Sequence, residues 1–225
     1  MDAKSALSPA CVTACTVLAL LVSRSHAAEL SVTVQAPNGT PVEGAVVIAE
    51  PAAAAARTRA APGTKAVMDQ HNLAFVPDVL IVQQGTAVDF PNSDQVRHQV
   101  YSFSGAKTFQ LALYAGKAPA PVVFDKPGLV TLGCNIHDSM LGYIVVTDTP
   151  WSGRTGGDGS LRMHDLAPGE YRITVWHPLI DETGPQLQQQ LNVAEGPGAR
   201  ATFRLEHPLR PPLHHHGADK KWDDY

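Results

Sequence analysis

Cysteine is scarce in this chain, and its scarcity narrows the chemistry that the chain can carry. Only Cys11, Cys15 and Cys134 occur among the 225 residues. The first two fall in a segment with the features of a removable export signal, so the mature chain would hold one thiol. One cysteine can form no internal disulfide and cannot supply the several thiolates of an iron–sulfur cluster. A lone thiol in an oxidising compartment is open to oxidation unless burial or a metal ion protects it.

The chain also lacks long helical periodicity and an excess of positive charge. With a net charge of −4 it has no basic footprint for nucleic acid, and the charge is too small to identify another partner. The 18 glycines and 18 prolines, together with 44% hydrophobic residues, fit one or two compact β domains built from short strands. We therefore predict an all-β fold that does not bind nucleic acid.

Residues 1–27 predict export. Lys4 gives a weakly basic start, the apolar run 12–22 is too short to span a bilayer, and Ser25-His26-Ala27 offers a small-x-small cleavage site. Cleavage after Ala27 would leave a mature chain in the periplasm, or secreted, with no stable membrane insertion.

Four potential metal ligands are the most informative residues. Cys134, His137 and Met140 form a Cys-x-x-His-x-x-Met motif, and His98 lies upstream. Two imidazoles, one thiolate and one thioether are the donor set of a blue (type 1) copper site for electron transfer, in which the axial thioether is bound weakly. Structural zinc is normally held by Cys, His or carboxylate, without Met. The four residues therefore predict one type 1 copper ion.

Strand periodicity predicts where these ligands lie. Alternation along residues 128–134 puts Cys134 on an apolar strand face, and alternation along 96–100 does the same for His98. Another strand is predicted over 141–147. The second histidine and the methionine would then occupy a short loop clamped between two core strands, which is the rigid support that a preorganised metal site needs.

Two other interpretations stay open from the residues alone. Cys134 could be a buried structural cysteine with an incidental histidine nearby. Cys134 and His137 could also pair as a thiol nucleophile and its base, although their closeness in one short loop with Met140 favours co-ligands.

The ligand loop resembles that of the cupredoxins, the plastocyanin and azurin family, and its short spacing is that of amicyanin, the electron acceptor of methylamine dehydrogenase. A wider stretch is similar to bacterial cupredoxin-domain proteins of the methylamine-utilisation type, and this resemblance covers nearly the whole mature chain. The matching segments are Met68-Asp69-Gln70, Phe75-Val76-Pro77, Gly85-Thr86, Phe90-Pro91-Asn92-Ser93-Asp94, His98, Tyr101-Ser102-Phe103-Ser104, Gly133 and Thr149-Pro150.

The resemblance implies a Greek-key β-sandwich that carries electrons and is not an enzyme. It implies three equatorial copper ligands, which are His98, Cys134 and His137. Met140 would be the axial ligand. The edge of the His137 ring would reach the surface through an apolar patch, for which Ile136, Met140 and Leu141 are candidates. Redox proteins would dock there in small, transient encounters.

Two further details follow from the same resemblance. Asn92 or Asn135 is expected to hold the thiolate loop by hydrogen bonds. The multicopper oxidases of this superfamily place additional histidines on both sides of the copper cysteine, where this chain has Gly133 and Asn135.

Segments on both sides of the ligand region resemble the two halves of a carboxypeptidase-regulatory-like, transthyretin-like (Ig-like) β-sandwich. Strands are predicted over residues 30–34, 45–48, 166–175, 188–193 and 199–205, with an Asn38-Gly39 turn joining the first two. We therefore predict a second, discontinuous sandwich with the cupredoxin domain inserted between its halves.

The predicted organisation has five parts. These are a signal peptide over 1–27, a first sandwich half with an Ala-rich linker over 28–66, the cupredoxin domain over 67–149, the second half over 150–206 and a mostly disordered tail over 207–225. The tail contains His214-His215-His216, and adjacent histidines can bind copper. A periplasmic copper-binding or delivery protein is therefore the alternative function, while a solvated polar tail without a metal role also remains open.

Overall fold

The computed structural model describes residues 28–117, 119–180, 187–195 and 198–211. Both the predicted signal peptide and the three adjacent histidines of the tail lie outside these residues. The strands in chain order are β1 (Ala28–Gln35), β2 (Val46–Pro51), β3 (Lys65–Val67), β4 (Asp69–His71), β5 (Ala74–Val76), β6 (Val79–Gln83), β7 (Thr86–Asp89), β8 (Val100–Ser104), β9 (Lys107–Gln110), β10 (Val122–Phe124), β11 (Gly128–Cys134), β12 (His137–Thr147), β13 (Ser152–Arg154), β14 (Ser160–Leu166), β15 (Gly169–Trp176), β16 (Leu187–Val193) and β17 (Ala199–Arg204).

The prediction of an all-β fold is confirmed. Within the described residues, one 3-10 turn over Ala54–Ala56 is the sole helical element, and it falls in the Ala-rich linker. None of the helical structure described is long and apolar enough to cross a membrane.

Strands β3 to β12 build the part of the fold that holds the predicted ligands. A five-stranded sheet has the order β6-β12-β11-β8-β9, a three-stranded sheet has the order β10-β7-β3, and β4 pairs with β5 in a hairpin. Buried side chains from both sheets meet in one core, among them Val88, Phe124, Leu132 and Ile144. Strands β11 and β12 pair antiparallel, so the ligand loop lies between two central strands of the larger sheet.

The strands at the two ends of the described chain form the other sandwich together. Strand β1 lies between β14 and β17 in one sheet, and β2 lies between β13 and β15 in a four-stranded sheet that ends with β16. Leu30, Val47, Ile173 and Phe203 are buried in the core that these sheets share. The Asn38-Gly39 turn closes a short antiparallel bridge between Gln35 and Pro41, and the chain then passes to the other sheet, so β1 and β2 do not pair with each other. Gly39 takes a left-handed φ of 86° in this turn. The exact domain boundaries stay a prediction.

The two sandwiches pack against each other at a small apolar junction. Val46 of β2, Val79 of β6 and Val145 of β12 are buried in one cluster. The rings of Tyr143 and Trp176 meet edge to face there, with centroids 5.1 Å apart. Strand β12 thus takes part both in the ligand-bearing core and in the junction.

Four local features differ from the sequence predictions. Residues 96–99 form no regular strand, because β8 begins at Val100, and Val96 is 45% exposed instead of sharing a buried face with His98. Strand β12 begins at His137, so the second half of the ligand motif is strand and not loop. Strand β3 begins at Lys65 and pairs with β7, which places it with the ligand-bearing sheets. At the start of the predicted tail, the Arg210 N–H donates to the Leu179 carbonyl at 2.8 Å.

Candidate metal centre

Three of the four predicted ligands converge on one point. The Sγ atom of Cys134 lies 3.7 Å from Nδ1 of His98 and 3.7 Å from Nδ1 of His137. The two Nδ1 atoms are 3.1 Å apart. Each residue thus presents its metal-binding atom to the other two, and no other group of three His, Cys, Asp or Glu donors gathers so closely within the described residues.

The size of this triangle fits a metal ion. A point equidistant from the three atoms lies about 2.0 Å from each, close to the roughly 2.0 to 2.3 Å bonds that His nitrogen and Cys sulfur form with a first-row ion such as zinc. A trigonal set of two imidazole nitrogens and one thiolate is the equatorial arrangement of blue-copper sites. The residues present therefore fit a copper ion, and they fit it in the trigonal geometry.

Strand pairing brings these ligands together. Cys134 ends β11, where it pairs with Val100 of β8 on one side and with His137 of β12 on the other. A register shift between Gly133 and Cys134 lets the pairing continue across the tight turn, so the cysteine and the second histidine face each other directly. Strand pairing therefore joins the two ends of the Cys-x-x-His part of the ligand motif.

His98 is held from a separate segment. Its backbone exchanges two hydrogen bonds with Tyr114, each 3.0 Å long, in an isolated bridge. The Asn92 side chain donates to the carbonyls of Val96 and Tyr114 at 2.9 and 3.1 Å. These bonds of Asn92 therefore support the histidine loop, whereas the resemblance implied a role in the thiolate loop.

Three of the four proposed ligands are buried. The side chain of His98 is fully buried, Cys134 is 3% exposed and Met140 is fully buried. Met140 and Cys134 belong to the same core cluster, between the sheets. Met140 therefore cannot be part of a surface patch, and the prediction that it lines the electron port is wrong. Its role as axial ligand stays a prediction.

His137 is the ligand that reaches the surface, because its side chain is only partly buried. Burial and the neighbouring His98 ring lower the pKa of His137, and Asp94 opposes them. The neutral imidazole is the form that binds a metal ion. Exposed apolar side chains occur on the loops that carry the ligands, with Ile136 at 49% and Val96 at 45% exposure.

Asp94 is the residue at this centre that sequence reasoning did not single out as functional. Its Oδ2 atom lies 2.8 Å from Nε2 of His98, on the side of the ring opposite the ligand triangle. Burial alone would raise the pKa of Asp94, but hydrogen bonds from the Leu73 N–H, His98 and the Asn72 N–H outweigh it and hold this pKa below its ordinary value. The sequence signals were its position four residues before a candidate ligand and its place in the matching segment Phe90-Pro91-Asn92-Ser93-Asp94.

The other described histidines are not part of the triangle. His71 on β4, His164 on β14 and His207 after β17 are exposed. His177 is buried, and its Nδ1 accepts a hydrogen bond from the Leu179 N–H at 3.1 Å. Within the described part of the chain, the candidate centre thus uses two histidines, His98 and His137.

No protein-family profile matches this chain, and no curated protein matches it. Among solved structures, it is similar to a copper-containing nitrite reductase from Thermus scotoductus SA-01, with 25% identity over 44% of this chain and a TM-score of 0.37. The match covers 26% of the reductase, so this chain spans only a small part of that protein.

Smaller proteins match over nearly their whole length. A reduced Cu(I) form of an amicyanin variant is 23% identical, over 44% of this chain and 97% of its own, with a TM-score of 0.34. A purple cupredoxin from Nitrosopumilus maritimus is 22% identical, over 37% of this chain and 99% of its own, with a TM-score of 0.31. The amicyanin variant and the purple cupredoxin are proteins of the kind that the ligand loop resembles, and each match covers less than half of this chain.

Proposed function

We propose that this chain is an exported type 1 copper protein that carries single electrons between redox proteins. The observation that carries the proposal is the convergence of Cys134 Sγ with the Nδ1 atoms of His98 and His137 on a point about 2.0 Å from each, which is a metal–ligand bond length. Met140, fully buried in the same core, would be the weak axial donor of one copper ion.

Copper bound there would supply the redox chemistry, since it gains or loses one electron. The protein's part is to hold the donors so that little rearrangement accompanies that electron. His98 and Cys134 are buried, and strand pairing and the Tyr114 bridge fix their backbones. Their positions depend on tertiary contacts that exist without the metal, as expected of a preorganised site.

The partly exposed His137 ring is the proposed point at which electrons enter and leave. Its neighbour Ile136 is 49% exposed, and Leu141 lies further along β12 on the outer face of the sheet, beside Gly133. An apolar rim around a ligand edge suits brief encounters with redox partners, which bury little surface. We propose these contacts as transient, with no stable partner and no catalytic role for the chain.

The test is optical and magnetic spectroscopy of the protein loaded with Cu(II), beside two variants. Cys134→Ser removes the thiolate, and replacement of His214, His215 and His216 by alanine removes the tail histidines. An intense thiolate-to-copper band with narrow copper hyperfine splitting should appear in the wild type, vanish in Cys134→Ser and persist in the tail variant. A colourless wild-type protein, or a copper spectrum that survives in Cys134→Ser but disappears in the tail variant, would contradict the proposal and favour copper binding or delivery by the tail.

A further inference from the structure

The carboxylate of Asp94 collects hydrogen bonds from three separate donors. Oδ2 accepts from Nε2 of His98 at 2.8 Å and from the Leu73 N–H at 3.0 Å, and Oδ1 accepts from the Asn72 N–H at 2.6 Å. The side chain is 10% exposed, and that of His98 is fully buried. One nearly buried group therefore links a candidate metal ligand to a hairpin that contributes no ligand.

The chemistry of the pair fixes which ring nitrogen carries the proton. An ionised carboxylate only accepts hydrogen bonds, so Nε2 of His98 must be the donor. A neutral imidazole has one N–H, which leaves Nδ1 with a free lone pair. That lone pair faces Cys134 Sγ and His137 Nδ1, where a metal ion would bind. Asp94 therefore selects the tautomer that the candidate site needs.

The hairpin turn is shaped to hold this carboxylate. Asn72 and Leu73 join β4 to β5 and both have a left-handed backbone, with φ of 54° and 58°. Consecutive N–H groups in such turns point into one concave site that suits an anion. The Asp94 N–H donates to Oδ1 of Asn92 at 3.0 Å. This bond fixes the backbone of Asp94 and so helps to hold its carboxylate in place.

We infer that Asp94 is a positioning residue for His98, and that the β4–β5 turn, by holding Asp94, sets the tautomer and the tilt of this imidazole. The consequence for copper rests on the proposed function. A carboxylate that accepts the outer N–H makes an imidazole a stronger donor, and loss of such a partner typically weakens metal affinity about 10- to 100-fold. A stronger donor favours Cu(II) over Cu(I), so Asp94 lowers the reduction potential.

Asp94→Asn is the test variant, and Asp69→Asn is its matched control. Asp69 also ties the hairpin to the loop that carries Asp94, because its Oδ2 accepts from Ser93 Oγ at 2.7 Å, and its Oδ1 accepts from the adjacent Gln70 N–H at 2.7 Å. Both variants remove one negative charge from a hairpin-to-loop contact, but in the described structure only Asp94 bonds to His98. Neither residue is one of the four proposed ligands.

Two measurements use the metal-free protein. Nitrogen-15 NMR of the imidazoles should find the proton of His98 on Nε2 in the wild type and in Asp69→Asn, and a changed tautomer or a tautomer mixture in Asp94→Asn. Amide exchange at Asn72 and Leu73 should accelerate in Asp94→Asn only. A wild-type His98 protonated on Nδ1 would overturn the inference, whether or not Asp94→Asn folds.

Two further measurements use Cu(II). Competition with a chelator should give an affinity about 10- to 100-fold weaker for Asp94→Asn and within about twofold of the wild type for Asp69→Asn. The reduction potential should rise in Asp94→Asn alone. Equal affinities and potentials in the two variants would overturn the inference. If the wild type binds no copper while the tautomer and exchange results hold, the proposed function fails and the positioning of His98 by Asp94 stands.

Discussion

Replacing Gly142 by alanine tests how closely the β4–β5 hairpin must pack on β12. A Cβ atom added at Gly142 would lie 2.7 Å from Cβ of Phe75 and 2.8 Å from its Cγ and Cδ2. Carbon atoms normally pack about 3.5 to 4.0 Å apart, so the overlap is roughly 1 Å. Because Cβ of Phe75 is bonded to the backbone, no rotamer change removes the clash, and the hairpin or β12 must move. Overpacking of this kind costs about 1 to 3 kcal/mol.

The assay is urea and thermal unfolding of the metal-free protein, with Gly105→Ala as the control. At Gly105 a new Cβ would meet no heavy atom within 4 Å, and the same chemical change should alter stability by less than about 0.5 kcal/mol. For a chain of this size each kcal/mol shifts Tm by about 2 to 4 °C, so Gly142→Ala should melt roughly 2 to 12 °C below the wild type. Equal melting temperatures for the two variants would refute the close packing of Phe75 on Gly142.

Three other predictions concern the candidate centre and the fold. Met140→Leu should keep the coloured site and raise its reduction potential, because the axial donor tunes the potential, and loss of all copper binding in titrations would contradict a purely axial role. Ile136→Glu should slow electron transfer in stopped-flow mixing without bleaching the site, whereas Val123→Glu, at similar exposure on β10, should not, and equal rates would argue against the proposed port. Burial, followed by the charge of Arg154, lowers the pKa of His177, so its stabilising contribution is complete above the unfolded value of 6.5 and is lost as pH falls below it. Urea unfolding of His177→Gln as the pH is lowered through 6.5 should show a smaller loss of stability than the wild type shows. The same dependence of stability on pH in both proteins would exclude His177 as the cause of the loss.

The ligand triangle was predictable because its chemistry is local. Cys134 and His137 lie in one short motif, and alternation along the preceding run correctly puts the cysteine on the inner face of β11. Alternation failed around His98, where the chain leaves regular strand geometry and Val96 turns toward solvent. There the Asn92 side chain donates to the Val96 carbonyl and replaces the missing strand pairing. The periodicity of apolar residues cannot reveal that a side-chain hydrogen bond takes the place of strand pairing.

Asp94 illustrates what a single sequence does not reveal. Two of its three donors are the backbone N–H groups of Asn72 and Leu73, and backbone donors carry no side-chain signature. Their convergence depends on two consecutive left-handed residues, one of them a leucine, which local propensity does not favour. The hairpin is stabilised in that shape by tertiary contacts, including the packing of Phe75 on Gly142. The residue was visible in the sequence, but its function depends on the fold.

Strand β12 connects the sandwich that holds no proposed ligand to the candidate metal centre. His137 and Met140 occupy its first residues, and further along Tyr143 and Val145 pack at the junction, where Tyr143 meets Trp176. Pairing with β11 on one side and β6 on the other makes β12 an interior strand that cannot shift alone. Ligand geometry must be kept within about 0.5 Å for a preorganised site, so clamping the far end of the ligand-bearing strand is useful. The junction covers the outer face of β12 from Tyr143 onward, so the His137 end is the stretch of this strand that stays open for the proposed encounters with redox proteins.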